Sequence, residues 1–347
     1  MLGVGFLGLT AGSGVFRIHQ NESDKKSLSS GEIQQAAIRR LEGKRPLFGT
    51  LPDFELPNFD PWQRLQETKD QVGALDFVGF FPKIEYFEND DWRNGFLSSL
   101  ERSIQMGAEP VLGLGYVQQV EGHHPFDDRV KHLRKEHFLG ICKALRSLGS
   151  PVTVRLFFEM NLSAYCYGTQ RELSWKQHAQ GYIHSFGEFV NAVQSTGAHV
   201  KTSFNPFVQN FYMPYSFTEH WPVVDGQLLA DSAGLDGYHL FPGKGQWQHP
   251  YYWIPGQHTA QDTFFDSFRE LDQLCNNQIP WYIWELGSLC RDSAFLSEAF
   301  WLSLACGGDG AMHFDYDKTH HNRPHEGEWF MTADNMTAYN HVLFSAA

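Results

Sequence analysis

The sequence predicts a parallel (β/α)8 TIM barrel, because eight short β-like runs alternate with segments that can each hold a helix. Parallel strands need such crossover segments, and eight strand–helix repeats in a chain of 347 residues suit one closed barrel. The longest connections follow the ends of runs three, four, six and eight, which is the face where barrel active sites lie. The eight runs cover residues 47–53, 74–82, 109–117, 152–160, 200–206, 234–242, 280–287 and 310–316.

The helical segments are recognised by apolar side chains that recur at helical spacing. The segment 91–106 begins with a candidate Asp cap and carries Phe96, Leu97, Leu100 and Ile104 on one face. Similar stripes occur in the segments before the fourth, fifth, seventh and eighth runs, and a last helix is predicted over 335–344. An open doubly wound sheet is the alternative, but a glycine-rich phosphate loop after an early strand, which is usual in that fold, is absent from the sequence.

The composition is that of a globular protein, with 42% hydrophobic and 19% charged residues. The net charge of −13 argues against nucleic acid or an anionic membrane as the main partner, because phosphate binding needs a basic surface. No HExxH or CxxC motif occurs, and the GxGxxG of residues 3–8 has no strand before it and no helix after it. The sequence therefore predicts no metal and no cofactor, and it leaves the oligomeric state open.

The first 44 residues are expected to form a leader and linker with a short helix near 32–41, and residues 45–347 the barrel. The apolar start lacks the basic residues of a signal peptide and is too short and glycine-rich for a confident membrane span. A degenerate export signal is preferred over a disordered leader, which favours an extracellular or periplasmic location.

The fourth run, PVTVRLFFEMNLSAYCYG, predicts a strand that ends in a loop of hydrogen-bonding and stacking groups. Alternation would place Arg155, Phe157 and Glu159 on one face. A strand that ends on a Glu before such a loop is how a barrel presents a catalytic acid. The simpler interpretation is an idle, solvated carboxylate at a strand end.

A second carboxylate stands at the same level in the seventh run, IPWYIWELGS. Alternation would put Trp281, Ile283 and Glu285 on one face, with Glu285 at the strand end. Glu159 and Glu285 would then lie on one rim, on strands four and seven. Two facing carboxylates are the apparatus of glycoside hydrolysis, one protonated and one ionised, at about 5–5.5 Å in the retaining class. The pair therefore favours catalysis over an idle carboxylate.

Three segments resemble glycoside hydrolase family 26, the β-mannanase family, and they occur in that family's order. RLFFEMNLSAYCYG resembles its acid/base segment, IPWYIWELGS its nucleophile segment, and GLDGYHLF its sixth-strand segment. The resemblance implies a retaining hydrolase with Glu159 as acid/base and Glu285 as nucleophile, and it implies that Tyr238 hydrogen-bonds the nucleophile. An endo-acting enzyme on a β-linked polysaccharide, mannan-like or a related β-glycan or exopolysaccharide, is the function expected.

The sequence departs from this family around the sugar site. The family commonly has His before the acid/base Glu and Gly after the Asn, where this chain has Phe158 and Leu162. Its Trp-rich tail is replaced by Tyr165, Cys166 and Tyr167. These changes put mannan itself in doubt more than hydrolysis.

Further candidate substrate-binding residues come from the loop after the fourth run, the aromatic connections and the eighth run: Arg155, Asn161, Tyr165, Tyr238, Trp247, His313 and Asp315. For His313 and Asp315, solvated polar groups at a strand end are an equally good interpretation. A catalytically inactive carbohydrate-binding barrel is the alternative function, and the fold alone does not separate it from an enzyme. The presence of both Glu residues favours the enzyme.

Overall fold

The protein folds into a closed barrel of eight parallel strands, which confirms the predicted fold class. The computed structural model describes residues 28–54, 60–162, 165–168, 173–208, 217–239, 259–288, 292–316 and 331–345. Each strand pairs with the strands before and after it in the sequence, and the first pairs with the eighth. The strands are β1 Leu47–Pro52, β2 Phe77–Phe80, β3 Glu109–Leu114, β4 Val152–Leu156, β5 Val200–Phe204, β6 Ser232–His239, β7 Trp281–Ser288 and β8 Gly310–Asp315.

Helices surround the barrel, and one precedes the first strand. They are α1 Ser30–Leu41, α2 Pro61–Val72, α3 Asp90–Gln105, α4 Lys131–Arg146, α5 Trp175–Thr196, α6 Ala260–Cys275, α7 Ser293–Cys306 and α8 Ala333–Ser345. Their ends follow local chemistry. The side chain of Ser174 caps the first turn of α5 in a reciprocal pair with Gln177, and Gly197 ends the helix with a positive φ.

The connection between β5 and β6 differs from the expected helix. Its described residues form the 3-10 helix Phe217–His220 and a two-stranded hairpin of Val223–Val224 with Gln227–Leu228. Asp225 and Gly226 form the tip of this hairpin with positive φ angles of 51° and 80°. Asn, Asp and Gly accept such angles in tight turns, so the turn chemistry there selects a hairpin over a helix.

Two apolar layers hold the barrel together, one inside it and one between strands and helices. The interior layer contains Leu51, Phe77, Val111, Tyr282, Trp284, Met312 and Phe314. The outer layer is larger and includes Phe48, Val78 and Leu112, which are the alternate positions of β1, β2 and β3. Glycines make room inside. A Cβ on Gly79 would lie 2.6 Å from Leu51 Cγ, so only glycine lets these neighbouring strands share that space.

Strand β7 does not alternate regularly. Leu235 pairs with Ile283 and Asp236 with Glu285, so β7 has one more residue than β6 over this stretch. The same extra residue appears against β8, where Ala311 pairs with Ile283 and His313 with Leu286. A β-bulge of this kind redirects side chains. The predicted face of Trp281, Ile283 and Glu285 is wrong, because Trp281 and Ile283 lie in the outer layer while Glu285 faces inward.

The first described helix packs onto the barrel wall. Helix α1 was expected near 32–41 and is found at Ser30–Leu41, against α7. Arg40 donates to the carbonyls of Gly307 and Gly308 and pairs with Asp309 at 3.0 Å. The domain boundary at residue 44 remains a prediction. Within the described residues, no helix combines the length and apolar character needed to cross a membrane.

Candidate active site

Glu159 reaches the site through a turn rather than along a strand. Strand β4 ends at Leu156, and both Phe157 and Glu159 adopt left-handed backbone angles, with φ of 51° and 53°. The backbone N–H of Phe157 donates to Leu114 and that of Glu159 to Asn205, so the turn stays bonded to β3 and to the end of β5. The predicted face of Arg155, Phe157 and Glu159 is wrong for Phe157, which lies in the outer layer. Such strained angles outside glycine persist where surrounding contacts enforce them.

Three carboxylates meet inside the mouth of the barrel. One oxygen from each of Glu159, Asp236 and Glu285 lies within 4.8 Å of the others, and all three side chains are buried. Glu159 is 5% exposed and Glu285 is 1% exposed. Glu159 and Glu285 were predicted as a pair. Asp236 was not, although strand alternation places it on the same face of β6 as Tyr238, which is the signal that points to it.

Arg155 is the cation of this cluster. Its guanidinium donates to Glu285 Oε1 at 2.7 Å and to Asp236 Oδ1 at 3.2 Å, and its side chain is fully buried. Burial opposes its charge, but the carboxylates of Asp236 and Glu285 raise the pKa of Arg155 above its usual value. Three acidic groups resemble a metal site, but Arg155 already supplies positive charge between two of them. The prediction of no metal and no cofactor therefore stays a prediction.

The two oxygens of Glu285 each accept a hydrogen bond. Arg155 donates to Oε1, and the Tyr238 hydroxyl donates to Oε2. Burial, followed by the charge of Glu285, raises the pKa of Tyr238 well above its usual value, so the phenol keeps its proton and remains a donor. The two donors therefore fix the orientation of the Glu285 carboxyl group.

The surroundings of Asp236 favour the neutral acid. Burial and the negative charge of Glu285 raise the pKa of Asp236 well above its usual value, although Arg155 acts in the opposite direction. Two carboxylates held close together divide in this way, because the ionisation of one disfavours that of the other.

Glu159 has a different partner. The Tyr165 hydroxyl donates to Glu159 Oε2 at 2.7 Å. The Tyr165 ring stacks on that of Tyr167, with centroids 5.1 Å apart and planes 7° apart. The structure therefore brings Glu159, Glu285, Arg155, Tyr165 and Tyr238 together, as predicted members of one site.

An aromatic wall borders this site and is formed by Phe81, Phe158, Phe314 and Tyr238. The rings of Phe158 and Phe81 lie 5.3 Å apart, those of Phe81 and Phe314 6.3 Å, and those of Phe314 and Tyr238 5.4 Å. The Arg155 guanidinium carbon is 5.3 Å from the Phe158 ring centre. Phe158 thus faces the charged cluster rather than the outer layer.

Other predicted residues lie elsewhere. The Asn161 amide bonds both the N–H and the carbonyl of Phe207, at 2.8 and 2.9 Å, and so joins the loops after β4 and β5.

His313 bonds Tyr339 of α8, and Asp315 bonds Arg64 of α2 and the N–H of Met331. Alternation turns these two side chains toward the helices, whereas Met312 and Phe314 of β8 face inward. The side chains of His313 and Asp315 are therefore directed away from the interior layer and are not solvated, and their role in substrate binding stays a prediction. Trp247 lies outside the described residues.

The architecture and these positions define the class of protein, a (β/α)8 barrel with one carboxylate in the turn after its fourth strand and another within its seventh strand rather than at the predicted strand end. Among solved structures, the chain is similar to a GH26 β-mannanase from Bacteroides ovatus, with a TM-score of 0.58, 14% identity, and coverage of 90% of this chain and 91% of that one. It is similar to a Bacillus subtilis mannanase, with a TM-score of 0.57, 15% identity, and 88% of each chain covered.

A GH5 xyloglucan-specific endo-β-1,4-glucanase from a metagenomic library is also similar, with a TM-score of 0.58, 11% identity, and coverage of 90% of this chain and 99% of that one. At such identities the likeness shows a shared fold, and that fold is the one the family 26 resemblance implied. No family model matches the sequence. No curated protein matches it either.

Proposed function

We propose that this protein is a retaining, endo-acting glycoside hydrolase that cleaves a β-linked polysaccharide, with Glu159 as acid/base and Glu285 as nucleophile. The observation that carries the proposal is the approach of an oxygen of Glu159 to within 4.8 Å of one of Glu285. Retaining enzymes hold their two carboxyl groups about 5–5.5 Å apart, whereas inverting enzymes leave about 6.5–9.5 Å for a water molecule. The close approach therefore supports the retaining class.

The environments of the two carboxylates support this division of roles. In the first step, a Glu285 oxygen bonds to the anomeric carbon while the glycosidic C–O bond breaks. The electron pair of the broken bond leaves with the glycosidic oxygen. Glu159 donates its proton to that oxygen. Arg155 and Tyr238 each donate to one oxygen of Glu285 and so hold the carboxyl group in the orientation that a nucleophile requires.

In the second step the roles of base and leaving group change. Glu159, now a carboxylate, takes a proton from water, the water oxygen bonds to the anomeric carbon, and Glu285 departs. Substrate and product then have the same anomeric configuration. Asp236 accepts a hydrogen bond from Arg155, so it orients the guanidinium rather than the sugar.

The similar solved structures support a polysaccharide as the substrate. Their names describe a β-mannanase, a mannanase and a xyloglucan-specific endo-β-1,4-glucanase. Tyr165 and Tyr238 serve the site through the carboxylates to which they donate. Arg155 serves the site through Glu285. The extracellular or periplasmic location stays a prediction.

The aromatic wall bears on which polysaccharide is accepted. Phe158 stands where the resembling family commonly has a polar His, and its ring borders the charged cluster. An apolar wall cannot donate a hydrogen bond to a sugar hydroxyl. A substrate that is recognised through such a hydroxyl therefore gains no binding free energy from the Phe158 side of the site. This favours a β-glycan or exopolysaccharide other than linear β-1,4-mannan.

The proposal is tested with the purified protein and a panel of polysaccharides, in which released reducing ends are measured. The panel contains linear mannan, galactomannan, glucomannan, xyloglucan, mixed-linkage β-glucan, xylan and bacterial exopolysaccharides. Hydrolysis of at least one member that is lost in Glu159→Gln and Glu285→Gln supports the enzyme. Binding without hydrolysis across the panel would instead establish the carbohydrate-binding barrel.

A further inference from the structure

The contact between Tyr165 and Glu159 has a chemical consequence for the acid/base. The phenol donates to Oε2 of Glu159 at 2.7 Å. Burial, followed by the charge of Glu159, raises the pKa of Tyr165 well above its usual value, so it does not lose this proton in the working range of an enzyme. The unprotonated oxygen of a carboxylic acid is the better acceptor, so a phenol that donates to Oε2 favours the acid proton on the other oxygen, Oε1.

The backbone around Tyr165 is tightly held. Tyr167 stacks on Tyr165 and donates its hydroxyl to the carbonyl of Phe158 at 3.1 Å. The imidazole of His178, on α5, lies 2.9 Å from the carbonyl of Tyr167. Space is also limiting, since a Cβ on Gly115 would lie 2.4 Å from the Tyr167 ring and one on Gly168 would lie 1.7 Å from the carbonyl of Leu162. The hydroxyl of Tyr165 is therefore positioned by the fold and needs little reorganisation.

The charged and titratable groups around this contact come from three strands and from the loop itself. Arg155 lies on β4, Asp236 and Tyr238 on β6, Glu285 on β7, and Tyr167 in the same segment as Tyr165. Arg155 bonds Asp236 and Glu285, and Tyr238 bonds Glu285. Tyr165 donates its hydroxyl to Glu159.

We propose that Tyr165 is a positioning residue that places the catalytic proton on Oε1 of Glu159 and stabilises the carboxylate left after that proton is transferred. This inference rests on the proposed function and deepens it. In the first step, the Oε1 proton passes to the glycosidic oxygen as the C–O bond breaks, and the Tyr165 hydrogen bond strengthens as charge develops on Glu159. In the second step, the same bond releases some of this stabilisation as Oε1 takes a proton from water.

The test compares Tyr165→Phe with Tyr167→Phe. The first variant removes the hydroxyl that touches Glu159, and the second removes the hydroxyl of the ring stacked against it, which bonds a backbone carbonyl instead. Loss of a hydrogen bond to the charged form of Glu159 should raise the pKa of this acid. The basic limb of the pH profile of kcat/KM for Tyr165→Phe should therefore shift to higher pH by about 1 unit. Tyr167→Phe should keep the wild-type limb even if it unfolds at a lower temperature.

Leaving groups give a second measurement. On oligosaccharides, whose leaving sugar must be protonated, kcat/KM of Tyr165→Phe should fall by about tenfold, since general acid catalysis contributes roughly 10²–10⁴-fold in all. On 2,4-dinitrophenyl glycosides, the leaving group departs without a proton, so the acid is not used in that step. The kcat/KM of Tyr165→Phe on these substrates should therefore stay within about twofold of the wild-type value. An equal loss on both substrates would show a merely structural role and overturn the proposal.

A direct titration separates this inference from the proposed function. Protein labelled with ¹³C at the Glu carboxyl carbon is titrated by NMR, with the Glu159 signal assigned by its loss in Glu159→Gln. Tyr165→Phe should move the Glu159 midpoint upward by about 1 pH unit, whether or not any polysaccharide is cleaved. An unchanged midpoint overturns the role of Tyr165 even in an active enzyme. An inactive wild type with a shifted midpoint overturns the proposed function alone.

Discussion

Trp284 and Glu285 are consecutive residues of β7, yet both side chains face the barrel interior. The Trp284 ring packs in the interior layer, and Glu285 bonds Arg155 and Tyr238. The extra residue that β7 carries relative to β6 and β8 makes this possible. The bulge brings Glu285 to the level of Asp236, and regular alternation would have buried it among the helices.

Gly234 is expected to protect this arrangement. A Cβ at Gly234 would lie 2.1 Å from Trp284 Cδ1, and the Trp284 indole is fixed by its bond to the Ser203 hydroxyl. Gly234→Ala should therefore lower the free energy of unfolding by about 1–3 kcal/mol, the usual range for overpacking, and reduce activity by displacing the neighbouring Glu285. Urea denaturation and kcat measure the two effects.

The control is Gly95→Ala, an exposed position of α3 with no atom within 4 Å of the added Cβ. It should be neutral or stabilising by up to about 1 kcal/mol, because alanine is the better helix former. If Gly234→Ala is as stable as this control, the packing argument for Trp284 is wrong.

Glu285→Ala should abolish turnover of the natural substrate, and azide should partly restore it on an activated aryl glycoside. The small anion fills the space of the missing carboxylate and attacks from the same side. The product, a glycosyl azide of inverted configuration, is identified by NMR. In Glu159→Ala, azide should instead give the retained configuration. If the inverted azide forms from Glu159→Ala, the two roles are exchanged.

Tyr238→Phe tests the donor to the nucleophile. Loss of a hydrogen bond to an ionised carboxylate should lower kcat by about 10–100-fold with little change in KM, because the bond acts on Glu285 rather than on binding of the polysaccharide. Steady-state kinetics on the best substrate of the panel measures this. Tyr86→Phe is the control, since Tyr86 is exposed on the 3-10 helix Ile84–Glu88. An effect confined to KM would place Tyr238 in substrate binding alone.

Phe158 is expected to limit the use of linear mannan. We expect kcat/KM of the wild type on linear β-1,4-mannan to lie below its kcat/KM on another β-glycan. Phe158→His should raise the ratio of the mannan value to the value on that β-glycan by up to about 10–200-fold, the range for an altered apolar contact. Phe344→His, on an exposed position of α8, is the matched control. Linear mannan as the best substrate of the wild type would refute this expectation.

The buried pair of His178 and His220 should make stability fall at acidic pH. His178 Nδ1 lies 2.8 Å from His220 Nε2, and His178 Nε2 faces the carbonyl of Tyr167, which can only accept. His178 Nδ1 must therefore accept a hydrogen bond from His220 Nε2. Protonation of His178 Nδ1 would place two N–H donors face to face, with no acceptor between them. Burial lowers the pKa of His178 to about 4 from its ordinary 6.5.

The sign follows from proton binding. Between about pH 6.5 and pH 4, His178 of the unfolded chain binds a proton, whereas His178 of the folded protein stays neutral. The free energy of unfolding is therefore highest above this window and falls by roughly 3 kcal/mol as the pH falls through it. His178→Gln should show a smaller difference between unfolding free energies at pH 7 and pH 4 than wild type. His199→Gln, at an exposed position, should keep the wild-type difference. Equal pH dependence in all three proteins would contradict the prediction.

The sequence alone determined the barrel, the order of its strands and the presence of Glu159 just after β4 and of Glu285 on β7. These features follow from local periodicity and from where polar residues interrupt it, which a single strand or helix already contains. The tertiary structure decided where each side chain points. The left-handed turn at Phe157 and Glu159 and the bulge beside Trp284 arise from the register of neighbouring strands, which no local pattern records. For the same reason, the contacts of Arg155 with Asp236 and of Tyr165 with Glu159 join residues whose meeting depends on barrel closure and on the path of a loop.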